Sequence, residues 1–295
     1  MYEIPLITAD NFITYALNGL SRGMIIFLVA SGLSLIFGLI GLINFAHGAM
    51  LALGGYGTYI VIQATGNFWL GLVISVVLVT VLGYVLERKV LYWLYDEPLL
   101  GFLGTFGLGL VIEEALAVYF GSRSYTIPSP LPESIELLGV TYPSYRLFVI
   151  LVGAIVALGI GLLLTRTRLG LEIHATANRQ PTAEILGVDT ARIYTITFVL
   201  GTALAALAGA LTAPITSMYP TIGLDYITMA FLVIIVGGMG SFKGSFVVSM
   251  IVGQVIAFGW LLTAPTYVRI LIFAAAMVFI LYKPRGFFGK PEVHE

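Results

Sequence analysis

Asn44 and His47 stand three residues apart in GLINFAHGAM (Gly41–Met50), inside a long stretch without charge. On a continuing helix that spacing puts both side chains on one face. Polar groups in hydrocarbon are costly and face protein or water. The pair therefore either bonds a solute and gates its path, or clasps two helices together. Glu113 and Glu114 pose a similar choice: they attract a substrate amino group, or pair with Arg123 at the membrane edge. Arg22 reads as an interface anchor, and Lys243 as the tether of a turn. No reaction centre can be assembled around them. The chain has no GxxxxGK[ST] phosphate loop, HExxH or EF-hand pattern, only three histidines (His47, His174, His294) and no cysteine. The expectation is a non-enzyme that binds no cofactor or metal of its own.

The elements that must position these residues are membrane spans. Hydrophobic residues make up 59% of the chain, charged residues 10%, and mean hydropathy is +1.02; a soluble domain is roughly 25% charged. Gly23 to Leu86 contains no Asp, Glu, Lys or Arg, room for about three crossings at about 20 residues each. Continuous apolar runs, unlike the alternation of a porin strand, predict an all-α polytopic bundle forming a single transmembrane domain over 1–295. Nine spans are counted, within a range of eight to ten: 16–39, 46–62, 69–86, 99–120, 147–164, 192–211, 226–238, 244–262 and 267–281. Residues 1–15 read as an interfacial lead-in, and the lack of a basic n-region argues that the first span is retained.

Glycine sets the packing expectations. Gly54, Gly55 and Gly57 interrupt the second span and mark it as a central broken helix, because irregular backbone at membrane depth needs protein or water around it. Gly201, Ala205 and Gly209 put small residues on one face of the sixth span, inviting close approach of another helix. Gly237 and Gly238 open a second glycine-rich segment where the path could bend or close.

Two loops carry the remaining information. Residues 121–146, with Pro128, Pro130, Pro132 and Pro143, predict a folded external cap. Residues 165–192 carry Arg166, Arg168, Arg179 and Arg192 and predict a cytoplasmic loop with one short helix, Pro181–Gly187. Proline suits the first turn, Glu184 the positive end, and Gly187 the stop. Two turns are marginal in isolation, so the helix needs a surface to lie on. Asp189 or Thr190 can then cap the sixth span. Lys and Arg favour short cytoplasmic loops; Arg88, Lys89, Arg166 to Arg192, Lys243, Lys283, Arg285 and Lys290 share a side, placing the N-terminus outside and the C-terminus inside. An added crossing or broken helix within 1–62 would place the N-terminus inside.

Five segments carry a family resemblance: GLINFAHGAMLALGGY (41–56), TRLGLEIHATANRQPTAEILGVD (167–189), TFVLGTALAALAGAL (197–211), GGMGSFKGSF (237–246) and KPRGFFG (283–289). In this order they resemble the permease subunits of branched-chain amino acid ABC transporters, the LivH type, along nearly the whole chain. The resemblance implies one half of a translocation pore in a prokaryotic inner membrane. Its implied partners are a homologous LivM-like permease, two cytoplasmic ABC ATPases that use ATP, and an external solute-binding protein. It also implies that Arg179, Thr182, Ala183, Glu184, Ile185, Leu186 and Gly187 form the coupling element to the ATPase. The translocation path candidates are Asn44, His47, Gly54, Gly55, Gly57, Gly237 and Gly238. Leu171 and His174 depart from the arginines often found there, and LGLEIHATANR is also similar to the urea-permease branch. Urea or a short amide is thus the alternative substrate, and an ion-coupled secondary transporter the alternative class.

Overall fold

The structure, a computed structural model, describes residues 9–95, 97–137 and 139–289. The first eight residues of the expected lead-in, Lys290 and His294 lie outside the described residues. The described chain forms α1 (Ala9–Ile40), α2 (Ala46–Thr65), α3 (Phe68–Lys89), a 3-10 turn (Leu91–Leu94), α4 (Pro98–Phe120), β1 (Ser134–Leu137) and β2 (Val140–Pro143). It continues with α5 (Ser144–Arg166), α6 (Arg168–Asn178), α7 (Gln180–Ile185), α8 (Thr190–Thr212), α9 (Ile222–Gly237), α10 (Phe242–Leu262) and α11 (Pro265–Tyr282). Seven of these, α1, α3, α4, α5, α8, α10 and α11, are long and apolar enough to cross a membrane among the described residues. Helix α2 is 20 residues long but interleaved with Gly, Ala, Thr and His, and α9 is a shorter apolar helix of 16 residues. The bundle is all-α apart from the β1–β2 hairpin, paired antiparallel with Ser134 opposite Pro143. The proline-rich loop is thus folded.

Helices α1 and α8 form the centre, with α2, α9 and α10 against them, while α3, α4, α5 and α11 turn apolar faces outward. Contact is set by backbone approach. A Cβ on Gly54 would lie 2.7 Å from the Ala206 Cα, and one on Gly209 would strike the Leu51 carbonyl. One on Gly32 would meet the Gly201 carbonyl at 2.7 Å, and one on Gly201 the Gly32 carbonyl at 3.0 Å. Without a hydrophobic drive between helices in lipid, this close contact holds the bundle together.

Two expectations change here. The glycines of α2 do not break it; the helix runs unbroken through Gly54, Gly55 and Gly57. The absence of side chains serves packing: Gly54 against α8, Gly55 under Met218, Gly57 against Ser75. The break lies just before, at Gly41–Phe45, where the chain is non-helical between α1 and α2. Gly41 ends α1 with φ +72°, and Leu42 and Asn44 are buried. The freed backbone is met by Thr105 of α4, whose hydroxyl accepts from Phe45 N (3.3 Å) and faces the Ile43 carbonyl (3.2 Å). Irregular backbone inside a membrane bundle is tolerated where protein surrounds it. The second change is that the 165–192 segment is mostly helical, with α6 preceding the expected short helix.

The basic residues sort by end. Arg88, Lys89, Arg166, Arg168, Arg179, Arg192, Lys243, Lys283 and Arg285 sit at the end that bears α6 and α7. Arg22, Arg123, Arg146 and Arg269 belong to the half that carries the hairpin. At the α6–α7 end, Phe287 N and Phe288 N donate to the carbonyls of Val236 (2.8 Å) and Gly237 (3.0 Å). The segment after α11 thus seals the glycine turn between α9 and α10, with Gly238 at φ +102°. Lys243 is exposed in the first turn of α10; the glycine contacts and these two backbone bonds secure the turn.

Candidate functional site

Helix α6 begins with Thr167, whose hydroxyl accepts from Gly170 N at 3.2 Å. A Cβ on Gly170 would lie 2.6 Å from the Leu164 backbone, so the chain doubles back tightly on α5. Ile173 then joins Leu39, Leu164 and Ile193 in a buried cluster linking α6 to α1, α5 and α8. Extended backbone at Arg179 (φ −151°) separates α6 from α7. Pro181 sits in α7's first turn, and Gly187 follows its end at φ +87°, donating to the Glu184 carbonyl at 2.9 Å.

Hydrogen bonds fasten α7 to α8. Glu184 accepts from Thr190 Oγ1 (2.7 Å) and from Gln180 Nε2 (3.1 Å), and Tyr194 Oη donates to Gln180 Oε1 (2.6 Å). The Thr190 bond, then the Gln180 bond, hold the Glu184 carboxyl below the usual carboxylate range. Asp189 caps α8 by accepting from Arg192 N at 3.0 Å. Ala183 turns inward, whereas Thr182 is exposed and Ile185 and Leu186 stand 86% and 77% exposed. The short helix thus has one face bonded down to α8, with the aliphatic side chains of Ile185 and Leu186 standing bare on the other as a knob.

Sequence reasoning missed what steadies this knob from below. Glu87, in the last turn of α3, is fully buried and accepts from Tyr95 Oη at 3.2 Å. The Tyr95 ring meets Tyr194 edge-on at 5.7 Å between centroids. Burial, then the Glu87 charge, push the Tyr95 phenol up. Two hydrogen bonds joined by a ring contact thus run from α3 to α7.

The path candidates do not gather in one place. Asn44 and His47 are buried at 1% and 0% exposure. His47 Nε2 lies 3.1 Å from the Val29 carbonyl, clasping α2 to α1. Asn44 Oδ1 and His47 Nδ1 are buried without a hydrogen-bond partner. Gly54, Gly55 and Gly57 face α8, Met218 and α3, and Gly237 and Gly238 lie in the turn at the α6–α7 end, where a Cβ on Gly237 would be 2.6 Å from Gly244. Glu113 lines a narrow crevice with Phe45, Gly48 and Gly223; among the described residues neither Glu113 nor Glu114 pairs with Arg123.

A larger cavity of about 170 Å³ lies between α1, α9, α10 and α11. Arg22, expected as an interface anchor, lines this cavity, its guanidinium 3.7 Å from the centroid of the Trp260 ring. Asp225 and Arg269 form an ion pair at 2.8 Å on the same wall, and Tyr219 Oη donates to the other Asp225 oxygen. Burial and that carboxylate push the Tyr219 phenol up. Sequence alone signalled the cavity only by rarity, since Asp225 and Arg269 are two of three charges between Ile193 and Tyr282.

Comparison with known proteins agrees with this architecture. A solved complex, PsaBC from Streptococcus pneumoniae bound to a Fab, shares the fold at TM-score 0.51, with 13% identity over 91% of each chain. The permease BraD of Pseudomonas aeruginosa is 28% identical over 97% of this chain and 98% of its own. LivH of Escherichia coli K12 is 27% identical over 96% and 97%; both are described as high-affinity branched-chain amino acid transport system permeases. The D-allose permease AlsC of the same organism is 29% identical over 72% of this chain and 64% of its own. The model of one family, described as branched-chain amino acid transport system, permease component, matches residues 15–281. The class left open by the residues is thereby an ATP-driven importer's multi-pass membrane subunit, not an ion-coupled carrier, and the chain belongs to the branched-chain amino acid transport system permease family.

Proposed function

We propose that this permease carries branched-chain amino acids through the membrane, and that α7 couples that movement to partner ATPases. The observation that carries the coupling reading is the exposure of Ile185 and Leu186 on a helix otherwise bonded to α8. Aliphatic side chains left bare at a basic end, outside the apolar belt, suit a groove on another protein. The gathering of Lys and Arg at that end supports a cytoplasmic α6–α7 module and an external hairpin. Family membership implies ABC-importer partners. In our reading these are two ATPases, a sister permease completing the pore and an external solute-binding protein.

ATP can shift the permease between states only through different affinity for each. In this mechanism, closure of the ATPases pulls on α7, and the Leu39–Leu164–Ile173–Ile193 cluster passes the displacement to α1, α5 and α8. Arg179, Thr182, Glu184 and Gly187 hold the knob's shape, with Ala183 as its inner contact. The amino acid substrate is supported by the near full-length similarity to BraD and LivH.

The test is import into proteoliposomes by the complete transporter. ATP-dependent uptake of labelled leucine, not competed by urea or D-allose, is the expected result. Replacing both Ile185 and Leu186 by alanine should abolish import while membrane insertion persists. Uptake of urea or allose in place of leucine would reassign the substrate, and unchanged import by the double variant would remove α7 from coupling.

A further inference from the structure

The cavity between α1, α9, α10 and α11 holds one charge that the protein leaves uncompensated. Asp225 is occupied by Arg269 and Tyr219. Arg22 has no carboxylate within ion-pair distance among the described residues, and its guanidinium carbon sits over the Trp260 ring, 3.7 Å from the centroid. Stacking on an aromatic face leaves the N–H edge of a guanidinium free, and that edge is built for bidentate binding of a carboxylate. An arginine deep in an apolar bundle is expensive and marks a functional site when a ligand can face it. Here it is half-buried beside a space many times the 10–15 Å³ or so that one water needs.

The remaining walls sort by chemistry. Ile25, Ile26, Met229 and Ile256 supply an aliphatic surface. Asp225 offers acceptor positions beyond its bonds to Arg269 and Tyr219, since a carboxylate has about four lone-pair sites. Cation, carboxylate and aliphatic surface around one cavity match the three parts of an aliphatic amino acid. We infer that the permease itself holds a solute-binding site here, in which Arg22 takes the α-carboxylate, Asp225 attracts the ammonium and the aliphatic wall receives the side chain. This deepens the amino acid reading above and rests on it. It places a second selection step inside the membrane subunit, after delivery by any external protein. A sugar offers no carboxylate to Arg22 and would leave that charge buried and unpaired.

Equilibrium binding of labelled leucine to the purified permease–ATPase complex in detergent, without solute-binding protein, tests the site. Wild type should bind saturably, with isovalerate a partial competitor and leucinamide, which lacks the carboxylate, a poor one. Arg22→Gln should weaken binding at least tenfold, and Arg22→Lys should restore part of it. Met229→Trp, which fills the aliphatic side without touching the charges, should also weaken leucine binding, guarding against misfolding of the Arg22 variants. Equal competition by leucinamide, or unaltered binding by Arg22→Gln, would overturn the inference. So would wild type that imports leucine normally in the complete transporter yet binds none here. Failure of leucine import itself would instead refute the functional reading.

Discussion

Thr105 and Gly209 show how single side chains hold a bundle that lipid does not drive together. Thr105 is fully buried, and its hydroxyl serves both the Phe45 amide and the carbonyls of Ile43 and Phe102. Thr105→Val keeps the shape and strips the partner from the broken segment between α1 and α2. An orphaned buried group costs about 1–3 kcal/mol, so the midpoint of thermal unfolding in detergent should fall, whereas Thr105→Ser should stay near wild type. At Gly209 the cost is steric. Even the methyl of Gly209→Ala falls on the Leu51 carbonyl of α2, and overpacking costs about 1–3 kcal/mol or more. Gly107→Ala, on α4 with nothing within 4 Å of the new methyl, is the matched control. It should be neutral or slightly stabilising, because alanine is the better helix former by roughly 1 kcal/mol. A Gly209→Ala protein as stable as Gly107→Ala would show that α2 and α8 are less closely apposed.

Among elements, α7 was legible and α6 was not. Proline at the start and glycine at the stop bracket α7 in the sequence as they do in space. Leu169, Ile173 and Ala177 of α6 recur at four-residue spacing, but Glu172, His174 and Thr176 between them, with Arg168 and Arg179 on either side, disguise the short apolar face as loop. The α2 glycines misled for another reason: a glycine that breaks a helix and one that admits a neighbouring backbone look identical in one dimension. Only the partner decides, and Ala206 lies about 150 residues away in sequence. The Arg22 cavity was hidden likewise, since α1, α9, α10 and α11 meet there only after folding. The stability of α7 should itself depend on pH. Glu184 has a folded-state pKa depressed by its bonds to Thr190 and Gln180. Its contribution is present above the unfolded carboxylate value, near 4.3, and is lost as pH falls through the lower folded value. Hydrogen exchange at Gln180–Val188, corrected for intrinsic chemistry, should quicken through that acid range. Glu184→Gln should flatten the response, and an identical acid response in that variant would show that another group governs the helix.

For the whole molecule, the proposed coupling requires that α7 at one end move helices that meet a cavity in the other half. Helix α1 connects the two: Leu39 near its end packs with Ile173 of α6, while Arg22, Ile25 and Ile26 line the cavity. At about 1.5 Å per residue, Arg22 and Leu39 are about 25 Å apart along a single helix. A rigid α1 would therefore carry a displacement of α6 directly to the cavity wall. Ile173→Ala tests that transmission without touching Ile185, Leu186 or any cavity residue. It empties space between α6 and α1, at a local cost of about 2–5 kcal/mol, and leaves the α7 bonds to α8 intact. The expected result is a transporter that still binds its ATPases and hydrolyses ATP but imports at a small fraction of the wild-type rate. Loss of ATPase binding would make α6 part of the docking surface. Full import would show that α7 acts through α8 alone, by way of Thr190 and Tyr194, with α1 a passive wall.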